Sequence, residues 1–215
     1  MALNQAATLD DQQFAKMMKN LAATVRRPSI ETVVFLLSYK AGLRAQEIAG
    51  LEWNRHILDA EGNIRHEEFL VAGSKGRAKR ERHPVLWISS DIGKYGSERT
   101  LRMHPILFEA IKVLREEGNP GIHVIPSGNK RASQNLKSRA HALTIRINRY
   151  YARMGLEKCS SHSGRRTFIT KAARTANYAN CSLADVQQMA GHRQLTTTEG
   201  YIDTTSQQAD LIGLL

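Results

Sequence analysis

The chain has 215 residues, 41% hydrophobic and 24% charged, a composition typical of a folded globular protein that excludes a disordered one. Its net charge of +11 argues for a polyanionic partner, nucleic acid first, although a ribosomal or membrane-surface partner would use the same charge. Its two cysteines, Cys159 and Cys181, lie far apart, which excludes a disulfide framework and a C-x-x-C zinc ribbon. With no signal-peptide pattern and no membrane-length apolar run, we expect a cytoplasmic protein without a membrane partner.

Helical patterns fill the first fifty residues. Asp10 to Gln13 predicts a helix start, and a second, strongly apolar helix is predicted to end at Gly42. Arg44 follows in the first turn of a short third helix, where a cation is unfavourable unless an anion binds beside it. Glu47, one turn on, can orient that guanidinium by a charge-assisted hydrogen bond, and a simple surface ion pair is the alternative.

From residue 59 to residue 104 the pattern changes to short β-type runs separated by turns. Phe69 to Val71 and Val85 to Ile88 predict strands of a small antiparallel sheet. Pro105 then opens an amphipathic helix, and the rest of the chain has helical patterns. We therefore expect a mainly α-helical fold with a small antiparallel β-sheet, of the α+β class.

One stretch carries the excess charge. Residues 126–174 contain twelve Lys or Arg residues and one acidic residue, Glu157, so the excess of this stretch equals the net charge of the chain. A localised basic block favours DNA, because each phosphate that it neutralises releases condensed counterions. Its candidate DNA-binding residues are Lys137, Arg139, Arg146, Arg149 and Arg166.

The last third of the chain contains an H-x-x-R motif, His162 to Arg165. If Ser161 caps a helix that begins here, the histidine and the arginine lie one turn apart on one face. That face is at the positive end of the helix dipole, where backbone N–H groups are free. The motif therefore suits a bound phosphate.

A second group follows: Gly191-His192 ends a predicted helix, and Tyr201 lies nine residues beyond that histidine. Taken singly, a histidine can cap a helix, an arginine can be solvated and a tyrosine can pack. Together they have the chemistry to attack a phosphodiester. A phenol with a pKa near ~10 needs a base to take its proton, and arginines complement the charge on the non-bridging oxygens.

The order A-G-L-R-x-x-E-I, H-x-x-R, G-H and a tyrosine nine residues later resembles the tyrosine recombinase, or phage integrase, family, from about Leu9 to the end. The resemblance implies the catalytic domain of that family, a helical bundle with a small three-stranded sheet. It implies one such domain over residues 1–215, without the N-terminal DNA-binding domain that family members usually carry. The catalytic residues that it implies are Arg44, His162, Arg165, His192 and the nucleophile Tyr201.

The family also places a catalytic lysine at the turn of a β-hairpin. Lys94 is preferred here, because Lys94-x-x-x-x-Arg99 runs directly into a helix as it does in the family. Lys75 is the alternative, although its similar stretch would end about twenty residues before that helix. With Lys94 in this role, much of residues 69–84 is expected to be a basic insertion that contacts DNA. The candidate contacts are Arg77, Lys79 and Arg80.

The activity implied is site-specific recombination or integration, in which DNA strands are cleaved and rejoined through a 3′-phosphotyrosine intermediate without metal or ATP. No H-E-x-x-H motif, carboxylate cluster or G-x-x-x-x-G-K-[ST] loop is present, so no metal or cofactor is predicted. The expected partner is double-stranded DNA, bound by a tetramer on two synapsed sites, with a monomer possible in free solution. The apolar end, residues 211–215, can pack within the chain or dock on a neighbouring subunit. A topoisomerase of the IB type and a catalytically idle DNA-binding regulator are the alternatives.

Overall fold

The computed structural model describes residues 6–72, 77–118, 121–127 and 135–201. Two predictions, those for Lys75 and for the apolar end at 211–215, fall outside these residues. Within the described ranges, no helix combines the length and the apolarity that crossing a bilayer requires.

The described residues form a helical bundle with one small sheet, which confirms the fold class predicted from the sequence. The helices are α1 (Asp11–Thr24), α2 (Pro28–Lys40), α3 (Ala45–Gly50), α4 (Pro105–Glu116), α5 (Leu136–Arg153), α6 (Ser163–Thr175), α7 (Leu183–Ala190) and α8 (Leu195–Glu199). The strands are β1 (His66–Ala72), β2 (Ala78–Ile88) and β3 (Arg99–Arg102), paired antiparallel in the order β1-β2-β3.

Helix α2 is the centre of the bundle. It packs against α1, α4 and α6, and Val33 and Leu37 are fully buried on it. Phe35 contacts the rings of Tyr150 and Tyr151 from α5, with ring centroids 5.2 and 5.5 Å apart. Helix α6 packs on the C-terminal part of α2, where Gly164 lies against Ser38 and Phe168 against Gly42, so the start of α6 lies beside the turn that leads from α2 to Arg44.

Local signals set most helix ends. Asp10 and Gln13 form a reciprocal capping box at α1, as predicted. The predicted cap of α6 by Ser161 is wrong: His162 occupies the N-cap position and its side chain makes no cap hydrogen bond. The Oγ of Ser163 accepts the Ser160 N–H at 3.0 Å and closes the turn that precedes the helix.

The described part of the 69–84 stretch belongs to the sheet, which corrects the expectation of an inserted loop. Residues 69–72 lie in β1 and residues 78–84 in β2, with Phe69 opposite Glu81 and Val71 opposite Lys79. Arg77, Lys79 and Arg80 are exposed, just before and at the start of β2. Two of these are paired locally, Lys79 with Glu81 and Arg80 with Glu68. The segment between β2 and β3 contains Lys94.

The prediction that Arg139 contacts DNA is wrong. Its side chain is 6% exposed and lies on the face of α5 that buries Leu143 and Ile147. The guanidinium donates to the carbonyl oxygens of Ala49 and Ile125 at 2.9 and 2.8 Å. Arg139 therefore joins α5 to the end of α3 and cannot reach a ligand outside.

Two arginines on α5 give a matched test of this correction. Arg139→Met should lower the free energy of unfolding by about 2–4 kcal/mol, because it leaves two buried carbonyl oxygens unpaired. Arg149→Met, on the exposed side of the same helix, should change it by less than about 0.5 kcal/mol. Urea denaturation of both variants measures the difference, and equal stabilities would contradict a structural role for Arg139.

Candidate active site

The site is built around Glu47, a fully buried carboxylate in the first turn of α3. Its Oε2 accepts the backbone N–H of Arg44 at 2.9 Å, and its Oε1 accepts Nη1 of the same residue at 3.1 Å. Arg99 on β3 donates to both carboxylate oxygens, each at 3.1 Å. Burial alone would raise the pKa of Glu47, but the two arginines outweigh burial and lower it. The carboxylate is therefore ionised at neutral pH, and it holds Arg44 in place.

Arg99 is the residue that the sequence analysis missed. It is 7% exposed, and besides binding Glu47 it donates from Nε to the carbonyl of Met189 at 2.9 Å. A Cβ added to Gly191, which has φ +63°, would lie 2.7 Å from Nη1 of Arg99. Arg99 thus ties β3 to the end of α7. Its position in the Lys94-x-x-x-x-Arg99 stretch was a signal, but only tertiary packing shows its partner.

Arg165 connects three separate segments through one guanidinium. This 2% exposed side chain donates from Nη1 to the carbonyl of Gly42 and from Nη2 to the carbonyl of Ala190 at 2.7 Å. Nη2 also lies 2.8 Å from Nε2 of His192. Burial and the nearby charge of Arg44 lower the pKa of Arg165 to about 10, so it remains a cation at neutral pH.

The contacts of His192 fix its tautomer. An arginine can only donate, so Nε2 accepts from Arg165 and the ring proton resides on Nδ1. Nδ1 then donates to Oγ1 of Thr198, 3.0 Å away, another residue that no sequence signal marked. Burial and the charges of Arg165, Arg44 and Arg99 lower the pKa of His192 to about 4. The imidazole is therefore neutral at physiological pH.

Tyr201 lies over this histidine. The two rings stack with centroids 5.5 Å apart, and the guanidinium of Arg166 lies 6.0 Å from the centroid of the Tyr201 ring. Thr170 on α6 donates to the Tyr201 carbonyl at 3.0 Å, which fixes the backbone at this point. The half-buried phenol lines a cleft of about 390 Å³ together with His162 and Arg166. Tyr201 is therefore accessible to a ligand in that cleft.

His162 and Lys94 complete the group. Partial enclosure of the His162 imidazole lowers its pKa, and the charges of Arg165, Arg44 and Lys94 lower it further. Lys94 lies in the segment between β2 and β3, and its positive charge disfavours protonation of His162. The structure thus brings Arg44, Lys94, His162, Arg165, His192 and Tyr201 together, although they come from five separate segments.

The remaining DNA-binding candidates lie in different environments. Lys137 and Arg149 are exposed on α5, whereas Arg146 forms an ion pair with Glu31 at 3.4 Å. Arg166 lies in the cleft beside Tyr201. Among the described residues, no three His, Cys, Asp or Glu side chains converge as a metal site.

The helical bundle with its three-stranded sheet is the catalytic-domain fold of tyrosine recombinases. The site places a tyrosine beside a cluster of arginines and histidines. The phage integrase family model matches residues 7–208, and the chain belongs to that family. No curated protein matches the chain by sequence.

Solved structures of tyrosine recombinases share the fold. XerA recombinase superposes with a TM-score of 0.59 at 15% identity over 97% of this chain and 63% of its own. The Tn1549 transposon integrase in complex with a circular intermediate DNA gives 0.61 at 14% identity, over 99% and 66%. A lambda integrase dimer bound to a COC′ core site gives 0.51 at 15% identity, over 94% and 49%. The chain therefore spans less than two thirds of these proteins.

The low pKa of His192 predicts an acid-sensitive fold. In the folded protein the pKa of His192 is about 4, below its ordinary value of 6.5, so the neutral imidazole contributes its full stabilisation of the fold above pH 6.5. That contribution is lost as the pH falls from 6.5 towards 4. Between pH 7 and pH 5 this group alone should remove about 2 kcal/mol from the free energy of unfolding. Urea denaturation at the two pH values should show a smaller loss in His192→Gln, which keeps an acceptor for Arg165 but does not titrate. Equal losses in both proteins would contradict a buried neutral His192.

Proposed function

We propose that this protein is a site-specific DNA recombinase that cuts and rejoins DNA strands through a 3′-phosphotyrosine intermediate at Tyr201. One observation carries the proposal: Arg44 and Arg99 bind a single carboxylate, Glu47, and Arg165 lies near enough for its charge to interact with both Glu47 and Tyr201. Three permanent cations against one anion leave excess positive charge, which an approaching phosphodiester neutralises.

In the proposed reaction, the Tyr201 hydroxyl oxygen attacks the phosphorus and the bond to the 5′ oxygen breaks. Arg44 and Arg165 stabilise the charge on the non-bridging oxygens. His162 takes the phenolic proton, since its imidazole is neutral and faces solvent, whereas Nε2 of His192 is bound by Arg165. Lys94 gives a proton to the leaving 5′ oxygen. The ester retains the energy of the broken bond, so a 5′ hydroxyl from another strand can reverse the attack without ATP.

Double-stranded DNA is the proposed partner. XerH recombinase is bound to its difH substrate in one structure of the same fold, with a TM-score of 0.55 and 14% identity. Exposed cations on this chain, among them Arg77, Lys137 and Arg149, supply charge for the DNA backbone. Assembly as a tetramer on two synapsed sites, and a location at DNA in the cytoplasm, are part of the same proposal.

Tyr201→Phe should abolish the covalent protein–DNA adduct, because it removes the attacking oxygen, while DNA affinity stays within about twofold. The adduct is measured by denaturing gel electrophoresis on nicked substrates made from element ends and host junctions. Tyr178→Phe is the matched control, since that phenol is 92% exposed and makes no contact with the cleft. An adduct that survives in Tyr201→Phe contradicts the nucleophile, and DNA binding without an adduct in the wild type contradicts catalysis.

Lys94→Ala should slow adduct formation by about 10²–10⁴-fold, the usual contribution of a general acid. A substrate with sulfur in place of the 5′ bridging oxygen should restore most of the rate, because a thiolate leaves without being protonated. Single-turnover rates on the oxygen and sulfur substrates measure the effect.

Lys75→Ala is the matched variant for the alternative lysine, and it should cleave both substrates at the wild-type rate. Slow cleavage of the oxygen substrate by Lys75→Ala, with rescue by sulfur, would transfer the role of acid to Lys75.

A further inference from the structure

The turn between β2 and β3 contains an unusual tyrosine. Tyr95 has φ 59° and ψ 30°, and Gly96 after it has φ 72°. The Ser97 N–H donates to the Lys94 carbonyl at 3.3 Å, which makes residues 94–97 a type I′ turn. The first central position of this turn favours Asn, Asp or Gly, because a larger side chain is strained at positive φ.

Packing does not explain the tyrosine. Its side chain is 66% exposed, so most of the ring faces solvent. Its described contacts are with two cations: the Lys94 ammonium lies 4.9 Å from the ring centroid and the Arg193 guanidinium lies 5.2 Å from it. Arg193 also donates from Nη2 to the Tyr95 carbonyl at 2.9 Å, which ties the turn to the loop after His192. A strained, exposed aromatic side chain with two cations beside it points to a ligand.

The neighbouring charges indicate which ligand. The turn lies against the loop that carries His192: a Cβ added to Gly191 would lie 2.7 Å from Oγ of Ser97, and Arg193 donates to the Tyr95 carbonyl. The ring therefore lies at the edge of the cluster that is proposed to bind a phosphodiester. An exposed aromatic ring with cations beside it is an arrangement that binds single-stranded nucleic acid, with phosphates at the cations and a base on the ring. In paired DNA the bases are stacked on each other, so the ring would find a free base face only where pairing is interrupted.

We infer that Tyr95 is a stacking site for an unpaired nucleobase next to the strand break, flanked by Lys94 and Arg193 as contacts for the adjoining phosphates. This inference rests on the proposed function, in which a cut strand must leave its partner before it can join another. The ring would hold a base that has lost its pair and delay its return to the original duplex.

Binding to two DNA probes tests the inference without any covalent step. One probe is a duplex with a gap of four unpaired thymidines, and the other is the same duplex fully paired. All proteins carry Tyr201→Phe, so that no adduct contributes. With Tyr95 present, the gapped probe should bind about tenfold more tightly than the paired probe, the size of one base–aromatic stacking contact.

Two variants separate the ring from its surroundings. Tyr95→Phe should keep the preference for the gap, because the aromatic face remains. Tyr95→Asn should lose it, with unchanged affinity for the paired probe and a melting temperature no lower than that of the parent, because asparagine suits the turn. A 2-aminopurine in the gap should be quenched by the Tyr95 and Phe proteins and not by the Asn protein.

The outcomes distinguish the two proposals. Equal affinity of the parent for both probes, or an equal loss on both in Tyr95→Asn, would overturn the stacking site while leaving DNA binding intact. No affinity for the paired probe would instead count against the proposed function.

Discussion

The structure depends on a buried carboxylate that is held between arginines. Glu47 has no contact with solvent, and it is kept ionised by Arg44 and Arg99, which bind it at 3.1 Å. A buried charge is tolerable only when partners replace its water; here Arg44 lies three residues away in the sequence and Arg99 comes from the distant strand β3. The arginines exceed the carboxylates, because Arg165 adds a third cation nearby. The protein is therefore preorganised for an anion, since the energetic penalty of assembling like charges is met during folding.

Arg165 gives the cluster its geometry. Through Gly42, Ala190 and His192 it connects the turn before α3 with the loop after α7. Its donation to His192 decides which ring nitrogen carries the proton, and its charge contributes to keeping that histidine neutral. Arg165 thus fixes both the relative position of these segments and the tautomer of His192, so a substitution at Arg165 would disturb both at once.

The sequence predicted the features, such as helix ends, that depend on residues close together in the chain. The helix start at Asp10 and the helix end at Gly191 were predicted because the hydrogen-bond partners at both ends lie within one turn. Arg139 was wrongly predicted to contact DNA because a count of charges along the sequence does not show which side chains are buried. It lies four residues before Leu143, on the same buried face of α5. The partners of Arg99 and Thr198 could not be foreseen, since Glu47 and His192 reach them only after β3 and α8 have packed. Ser161 is not the cap of α6 because the helix begins at Ser163 and His162 occupies the N-cap position.

The hydrogen bond from Thr170 to the Tyr201 carbonyl has a consequence for assembly. It holds the backbone of Tyr201 against α6 of its own chain, the helix that begins after His162 and carries Arg165. Under the proposed function, each copy would therefore use its own tyrosine beside its own arginines and histidines. Contacts between copies in a higher-order complex would then govern when a strand is opened rather than provide the residues that open it.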